Sequence, residues 1–151
     1  MVLLKGVDER GFIFYTNSES RKGAELMENP CASLCFHWKT RKREVRVDGA
    51  VEKVTEGEAD AYFKSRARES QIGAWASKQS RELKSQDDLE KRIDKFTIKF
   101  EMKKVPRPSF WEGYRVLHDK VEFWAEKNFR LHDRYVYSRS GSGWSVFKLY
   151  P

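Results

Sequence analysis

Strand-like runs lie at both ends of this chain, and segments with helical signals separate them. Near the start, a turn sequence at Asp8–Gly11 lies between two apolar runs, which predicts a β-hairpin. Valines at alternating positions predict a longer strand over 44–54. The other predicted strands are 2–5, 11–16, 31–38, 114–117, 121–125, 135–138 and 144–149. This pattern favours a mainly β, antiparallel fold with inserted helices, closed into a small barrel.

Helix signals occur between these strands. Thr55 and Glu58 have the spacing of a capping box, in which each side chain binds the other residue's backbone N–H. Ser85 precedes a helix whose apolar stripe is Leu89, Ile93, Phe96 and Phe100. Two shorter helices are predicted at 21–27 and 70–76, and the first ends at Asn29-Pro30.

The size and composition of the chain indicate one folded domain. It has 151 residues, of which 39% are hydrophobic and 14% aromatic, so we expect a single domain over 1–151 with a core of its own. It contains no uncharged apolar run of membrane-spanning length and opens with no leader sequence, so we expect a cytoplasmic protein without membrane contact. Because the chain begins inside a predicted strand, we expect that an N-terminal segment is missing.

The charge balance indicates an anionic partner. The chain has 30 Lys and Arg residues against 23 Asp and Glu residues, a formal net charge of +7. Nucleic acid, acidic lipid and small phosphorylated molecules all suit such a chain. Nucleic acid favours a continuous basic stripe, whereas a phosphate site needs a few cations at chosen points.

The two cysteines, Cys31 and Cys35, lie in one predicted strand. Their Cα atoms would be about 13 Å apart in an extended chain, beyond the reach of a disulfide. His37 falls on the same face, but three groups strung along one strand do not converge on a metal. We therefore expect two buried, reduced thiols and no metal site.

The first cationic cluster is Ser20-Arg21-Lys22, at the start of the first predicted helix. Cations there oppose the helix dipole, unless an anion lies among them and the unpaired backbone N–H groups. The pattern therefore indicates either a phosphate site or a basic helix start exposed to water.

The second cluster is Tyr62, Arg66 and Ser70, spaced four residues apart. On one continuous helical path all three side chains would share a face and could donate to one phosphate. A solvated helix face accounts for the same spacing.

The third cluster is Arg130, His132 and Arg134, which would share one face of a strand. Two guanidinium groups beside an imidazole disfavour its charged form, which would leave the histidine able to accept a proton. Such a run of cations indicates anionic ligands nearby, and a histidine packed in the core is the alternative.

Taken in series, several motifs resemble the pyridoxamine 5'-phosphate oxidase family, and the similarity runs from Val2 to the end of the chain. The Gln-Ile-Gly-Ala-Trp and Arg-Leu-His-Asp-Arg blocks are the most specific of them. The motifs are Ser20-Arg21-Lys22, residues 71–80, residues 105–111, Glu122-Phe123-Trp124 and residues 130–134.

The resemblance implies an FMN-binding split β-barrel that acts as a homodimer, with the flavin at the subunit interface. It implies oxidation of pyridoxamine or pyridoxine 5'-phosphate to pyridoxal 5'-phosphate, with oxygen reduced to hydrogen peroxide. The implied FMN contacts are Lys5, Tyr15, Thr16, Arg21, Lys22, Glu44, Gln79, Ser80, Trp124 and Arg134. The implied substrate contacts are Lys5, Tyr62, Arg66, Ser70, Arg130, Leu131 and His132. Among these, Arg130 and His132 are the implied catalytic residues, with Arg130 over the pyridine ring and His132 orienting the substrate or handling its proton.

The chain departs from the family pattern at several places. Glu44 stands where the family carries a glutamine against the flavin, and a carboxylate there would disfavour the anionic reduced ring. Glu112 replaces a glycine of the family's Trp-Gly-Gly, and the chain ends Lys148-Leu149-Tyr150-Pro151 instead of Arg-Leu-Ala-Pro. We also expect that the family's N-terminal region, which includes an FMN-contacting arginine, is missing.

Three other functions fit parts of the sequence. A different flavin split-barrel reductase would keep Arg21 and Lys22 but would not need the Tyr62 and Arg130 clusters. An inactive homologue that binds FMN or pyridoxal 5'-phosphate would fit Glu44 and the absent N-terminal region. A nucleic-acid-binding barrel would use the basic stretch 38–43, which is better explained as a solvated turn.

Overall fold

The computed structural model describes residues 1–151. It contains seven strands, four α-helices and short 3₁₀ turns at 39–41 and 128–130. The strands are β1 (Gly6–Asp8), β2 (Gly11–Asn17), β3 (Cys31–Trp38), β4 (Arg43–Lys53), β5 (Trp111–Ala125), β6 (Asp133–Ser140) and β7 (Gly143–Lys148). The helices are α1 (Arg21–Glu28), α2 (Glu56–Ser65), α3 (Arg68–Ala76) and α4 (Gln86–Lys99).

All seven strands belong to one sheet. Its order is β1-β2-β5-β4-β3, and β6 pairs with both β5 and β7. The pairs β3/β4, β5/β6 and β6/β7 are antiparallel; Trp124 lies opposite Arg134, for example, and His37 opposite Glu44. The predicted antiparallel β fold with inserted helices is therefore confirmed.

The chain forms two compact units. The first, here called the helical unit, comprises 1–5, 13–29 and 53–114. Its core contains Phe63, Ile72, Phe100, Val105 and Trp111. The second, here called the strand unit, comprises 6–12, 30–52 and 115–151, and Val47, Val116 and Val136 are fully buried in it.

Side-chain caps fix where three helices begin. The predicted capping box is confirmed: Thr55 Oγ1 accepts from the backbone N–H of Glu58, whose carboxylate accepts from the N–H of Thr55. Ser20 caps α1 through the N–H of Gly23, and Ser85 caps α4 through that of Asp88. These bonds satisfy N–H groups that have no partner inside their helix.

Two strand predictions were wrong. Residues 2–5 are not a strand, although the N–H of Lys5 donates to the carbonyl of Ile13, and β1 begins only at Gly6. The predicted strands at 114–117 and 121–125 form one strand, β5. The prediction left residues 118–120 between the two strands, but the ladder to β6 includes Lys120 and continues to Ala125.

The cysteine prediction was partly wrong as well. Both thiols are free, as expected, but Cys31 and Cys35 are exposed, because their face of β3 is the open one. The intervening Ala32 and Leu34 are half-buried instead. The structure contains no cluster of three or more residues suited to hold a metal ion. None of its helices has both the length and the apolar character needed to cross a bilayer.

Candidate functional site

Helix α2 ends at Arg66, and this break separates the residues of the second cluster. Arg66 has an extended backbone (φ −74°, ψ 151°), and α3 starts two residues later. Tyr62, Arg66 and Ser70 therefore do not lie on one continuous helix, and that part of the prediction was wrong. Ser70 lies in the first turn of α3 and is exposed.

Gln71 stabilises this break, and no sequence signal had singled it out as a site residue. Its side-chain amide donates to the carbonyls of Phe63, Lys64 and Arg66 at 3.0, 3.3 and 3.1 Å. These carbonyls lie at the end of α2, where the last carbonyls of a helix lack their regular intrahelical donors; that of Phe63 also accepts from the N–H of Arg66 at 3.2 Å. A buried glutamine with three acceptors in reach replaces the missing turn of helix.

The guanidinium of Arg66 lies on aromatic rings and lacks a counter-ion. Its Cζ is 5.0 Å from the ring centre of Trp111 and 5.6 Å from that of Phe63. Its Nη1 is buried without a hydrogen-bond partner, and no carboxylate pairs with it. Burial lowers the pKa of Arg66, although an arginine stays protonated in proteins. A half-buried cation with an unused donor is suited to bind an anion.

Two further predicted residues complete this aromatic group. Tyr15 stacks on Tyr62 with 4.2 Å between ring centres and on Trp111 with 4.9 Å. Lys5 Nζ lies 5.8 Å from the ring centre of Tyr62. The structure thus brings together Lys5, Tyr15, Tyr62 and Arg66. The Trp111 ring contacts the last three, and Lys5 lies over Tyr62.

The residues assigned to the FMN phosphate lie around the start of α1 in the helical unit. Thr16 Oγ1 donates to Gln79 Oε1 at 3.3 Å, and the N–H of Asn17 donates to the same oxygen at 3.4 Å. Arg21 and Lys22 occupy the first turn of α1, which contains no acidic residue, and Arg21 binds Glu25 in an exposed ion pair of 2.7 Å. Cations, hydroxyls and helix N–H groups form a donor set that suits a phosphate monoester.

Ser80 follows Gln79 in a left-handed conformation, with a φ of 68°. The contacts of Gln79 with Thr16 and Asn17 join residues about sixty positions apart in the sequence. The motif had placed these residues in the same site without giving the contact that joins them.

In the strand unit, Glu44 lies on the wall of a cavity of about 710 Å³. The Arg46 guanidinium donates to Glu44 Oε1 at 2.6 Å, so the carboxylate is paired inside its own strand. Trp124 lies on the same wall. The full lining is Trp38, Arg41, Arg43, Glu44, Val45, Phe123, Trp124, Ala125, Asp133 and Tyr135.

Arg134 is held across β5 and β6 by Glu122. Its Nε and Nη2 donate to the two carboxylate oxygens at 2.7 and 3.2 Å, and Nη1 donates to the carbonyl of Tyr150 at 3.1 Å. The hydrogen bond from Arg134 holds the pKa of Glu122 below its usual value, against the opposing effect of burial. Glu122 was quoted in a motif but was not among the predicted site residues.

The third cluster does not have the predicted strand geometry. Arg130 ends the 3₁₀ turn at 128–130, and both Phe129 and Arg130 have left-handed backbones, with φ of 59° and 63°. Since β6 begins only at Asp133, Arg130, His132 and Arg134 do not share a strand face. Two successive left-handed residues turn the chain where an extended path was expected. Arg130 and Leu131 are exposed to solvent.

His132 lies between this turn and β6. Its ring packs against Trp124 with 4.7 Å between ring centres. Its Nδ1 accepts a hydrogen bond from the backbone N–H of Lys127 at 3.3 Å. This contact engages Nδ1 with the backbone and leaves Nε2 as the ring nitrogen that makes no hydrogen bond within the protein.

Comparison with known proteins gives two family matches that together span nearly the whole chain. Residues 1–100 match the family described as pyridoxamine 5'-phosphate oxidase. Residues 111–151 match the family described as the pyridoxine 5'-phosphate oxidase C-terminal dimerisation region.

Curated relatives agree with these matches. The chain is 56% identical over 156 residues to the pyridoxine/pyridoxamine 5'-phosphate oxidase of Rhodospirillum rubrum, covering 100% of this chain and 78% of that protein. It is 58% identical over 153 residues to the protein of the same name from Maricaulis maris, covering 100% of this chain and 69% of that protein.

Solved structures share the fold. PhzG from Burkholderia lata 383, in complex with tetrahydrophenazine-1-carboxylic acid, superposes with a TM-score of 0.91 at 33% identity, covering 99% of this chain and 73% of that chain. A pyridoxamine 5'-phosphate oxidase-related, FMN-binding protein from Nostoc punctiforme superposes with a TM-score of 0.75 at 13% identity, covering 99% of this chain and 79% of that chain. The second likeness concerns the fold alone.

Proposed function

Because the chain belongs to the pyridoxamine 5'-phosphate oxidase family, we propose that it oxidises pyridoxamine or pyridoxine 5'-phosphate to pyridoxal 5'-phosphate. Its fold is the split β-barrel of that family, and it is an FMN-dependent oxidoreductase. The identities of 56% and 58% to relatives of this name extend over the whole chain.

The observation that carries the proposal is the unpaired guanidinium of Arg66. Its buried Nη1 has no partner within the protein, and the rings of Trp111 and Phe63 hold the group in place. A substrate phosphate would supply both the missing acceptor and the missing negative charge. Lys5, Tyr62 and Ser70 are the other proposed phosphate contacts.

FMN would be held by residues whose chemistry suits its phosphate and its ring. Arg21, Lys22 and the hydroxyl of Thr16 would bind the phosphate. Lys5, Tyr15, Gln79, Ser80, Glu44, Trp124 and Arg134 are the other proposed contacts. FMN bound by these residues would supply the acceptor for a hydride from the C4' carbon of the substrate, with oxygen as the final oxidant and hydrogen peroxide as its product. With the amine substrate, addition of water would then release ammonia and leave the aldehyde.

The protein's own groups would orient the substrate. Arg130 would lie over the pyridine ring, with Leu131 beside it. Because Nδ1 of His132 is engaged by the backbone N–H of Lys127, Nε2 is the ring nitrogen that would hydrogen-bond the substrate and orient it. The Glu44 carboxylate is offset by Arg46, so the pair adds no net charge to the cavity wall.

The proposed working form is a homodimer with FMN at the subunit interface. The match of residues 111–151 to a dimerisation region supports the dimer. Exposed apolar side chains on β7 and in the turn before β6, among them Val146, Phe147 and Phe129, also support a covered surface. A cytoplasmic location stays a prediction from the sequence.

The direct test is an oxidase assay with purified protein, added FMN and air. We expect pyridoxal 5'-phosphate and hydrogen peroxide to form in equal amounts from pyridoxamine or pyridoxine 5'-phosphate. Bound FMN with no turnover would indicate an inactive homologue. Flavin reduction by a different donor, with no response to either phosphate ester, would indicate another reductase.

A further inference from the structure

The guanidinium of Arg107 is buried in the helical unit and is not among the proposed contacts of either ligand. Its side chain is only 9% exposed, within the helical unit. Its Nε donates to Asp60 Oδ1 at 2.5 Å, its Nη2 donates to Glu56, and its Nη1 donates to the backbone carbonyl of Trp111 at 2.7 Å. One planar group thus binds two carboxylates and one carbonyl.

These contacts join the two elements that position the Arg66 guanidinium, which are α2 and the start of β5. Glu56 and Asp60 lie on α2, the helix that carries Tyr62 and ends at Arg66. Trp111 begins β5 and supports the Arg66 guanidinium at 5.0 Å. The position of Arg66 over its platform therefore depends on how α2 lies against residue 111, and Arg107 supplies polar contacts between the two.

We propose that Arg107 is a positioning residue for the substrate phosphate, which acts by fixing Trp111 relative to the Arg66 end of α2. This inference rests on the proposed function, because it assigns the phosphate to Arg66. A lysine cannot replace Arg107, since a single ammonium cannot bind both carboxylates and the carbonyl in a planar fork.

The segment around Arg107 has other anchors, so we expect a variant at this position to fold. The Trp75 indole N–H donates to the carbonyl of Pro106 at 2.8 Å. The N–H of Ser18 donates to the carbonyl of Phe110 at 2.7 Å. Loss of the Arg107 contacts would therefore shift Trp111 without detaching the residues around Arg107 from the rest of the helical unit.

The test compares Arg107→Lys with Arg115→Lys in the FMN-loaded enzyme. Arg115 is a matched control, because it is a buried arginine with two carboxylate partners, Asp8 and Glu52, in the strand unit. We expect Arg107→Lys to raise KM for pyridoxamine 5'-phosphate by about 10-fold to 100-fold, with kcat within about threefold of wild type. Arg115→Lys should lower the melting temperature and leave KM unchanged.

A binding measurement separates phosphate positioning from a general loss of structure. Arg107→Lys should raise the dissociation constant of pyridoxal 5'-phosphate by the same factor as KM. The dissociation constant of pyridoxal, which lacks the phosphate, should not change. In an Arg66→Met background the Arg107 substitution should have no further effect on either ligand. Equal weakening of both ligands, or an unchanged KM, would overturn the proposal.

A second variant avoids any question of folding. Asp60 is 62% exposed, so Asp60→Asn removes the charge of one Arg107 partner at the surface while keeping an acceptor oxygen. We expect a smaller rise in KM with the same phosphate dependence, and a change that is independent of the phosphate would contradict the proposal. If the wild type binds pyridoxal 5'-phosphate without producing it, the proposed function fails, while the dissociation constants still decide the role of Arg107.

Discussion

Arg134 and Glu122 form a two-pronged ion pair across neighbouring antiparallel strands, with N–O distances of 2.7 and 3.2 Å. The Glu122 side chain is 6% exposed, so the pair is largely withdrawn from water on the carboxylate side. The third nitrogen of the Arg134 guanidinium, Nη1, donates to the carbonyl of Tyr150 near the chain end. A residue proposed to contact FMN therefore has its guanidinium oriented before any ligand arrives.

Replacing Glu122 tests the strength of this pair. Glu122→Gln keeps one acceptor but loses the charge, and we expect it to cost about 1–3 kcal/mol at neutral pH. Chemical denaturation at pH 7 measures this change. A matched substitution, Glu126→Gln, affects a more exposed pair with Lys42 and should leave stability almost unchanged.

The same pair predicts how stability depends on pH. Arg134 lowers the pKa of Glu122 below its ordinary value of 4.5, so the unfolded chain takes up a proton at a higher pH than the folded chain does. The pair's contribution is complete above pH 4.5 and is lost as the pH falls through the lowered pKa. The difference in melting temperature between wild type and Glu122→Gln should therefore shrink in acid. A constant difference would show that the carboxylate's charge is not involved.

Arg130 should affect turnover far more than flavin retention. Its side chain is exposed, and its left-handed backbone places it in the turn before β6. We expect Arg130→Ala to lower kcat/KM by about 100-fold, while the FMN dissociation constant changes by less than about threefold. Steady-state kinetics and flavin fluorescence provide the two numbers. An equal loss of both would contradict the role over the substrate ring.

Glu44 and Arg46 should shift the flavin midpoint potential in opposite directions. Glu44→Gln leaves the Arg46 cation uncompensated, which favours an anionic reduced flavin and raises the potential. Arg46→Gln leaves the Glu44 carboxylate uncompensated and lowers the potential. Equilibration with redox dyes measures both variants. Shifts of the same sign, or none, would show that this pair does not face the flavin.

Gln71 should stabilise the fold without contacting a ligand. Gln71→Leu keeps most of the side-chain volume but removes three hydrogen bonds to the end of α2. We expect a loss of about 1–3 kcal/mol in the free energy of unfolding, because the part-buried carbonyls of Lys64 and Arg66 lose their amide donor, while that of Phe63 keeps the N–H of Arg66. Urea denaturation of the flavin-free protein measures it. A neutral effect would mean that water replaces the amide at little cost.

Local signals in the sequence predicted much of the fold. The capping box at Thr55, the serine caps at 20 and 85 and the alternating valines of β4 are all present, because each depends on neighbours only a few residues away. The prediction divided strand β5 into two strands, at 114–117 and 121–125. Pairing with β6 continues through Lys120, and such long-range pairing is not visible in local sequence.

The candidate site was predictable in composition but not in geometry. The spacing of Tyr62 and Arg66 suggested a helical stripe, whereas Gln71 binds the carbonyls that end α2. The supports of the site, Trp111 and Arg107, lie more than forty residues from Arg66 and have no fixed spacing to it. Their roles depend on tertiary contacts, which a single sequence does not reveal.

The central claim is that the unpaired Arg66 guanidinium seats the phosphate of the substrate. Its most direct test is the rate of flavin reduction without oxygen. The FMN-loaded protein is mixed with pyridoxamine 5'-phosphate or with pyridoxamine, and the loss of flavin absorbance measures the rate. We predict reduction about 100-fold faster with the phosphate ester, and a fall to the pyridoxamine rate in Arg66→Met. Equal rates for both amines in the wild type, or full retention of the phosphate preference in Arg66→Met, would contradict the claim.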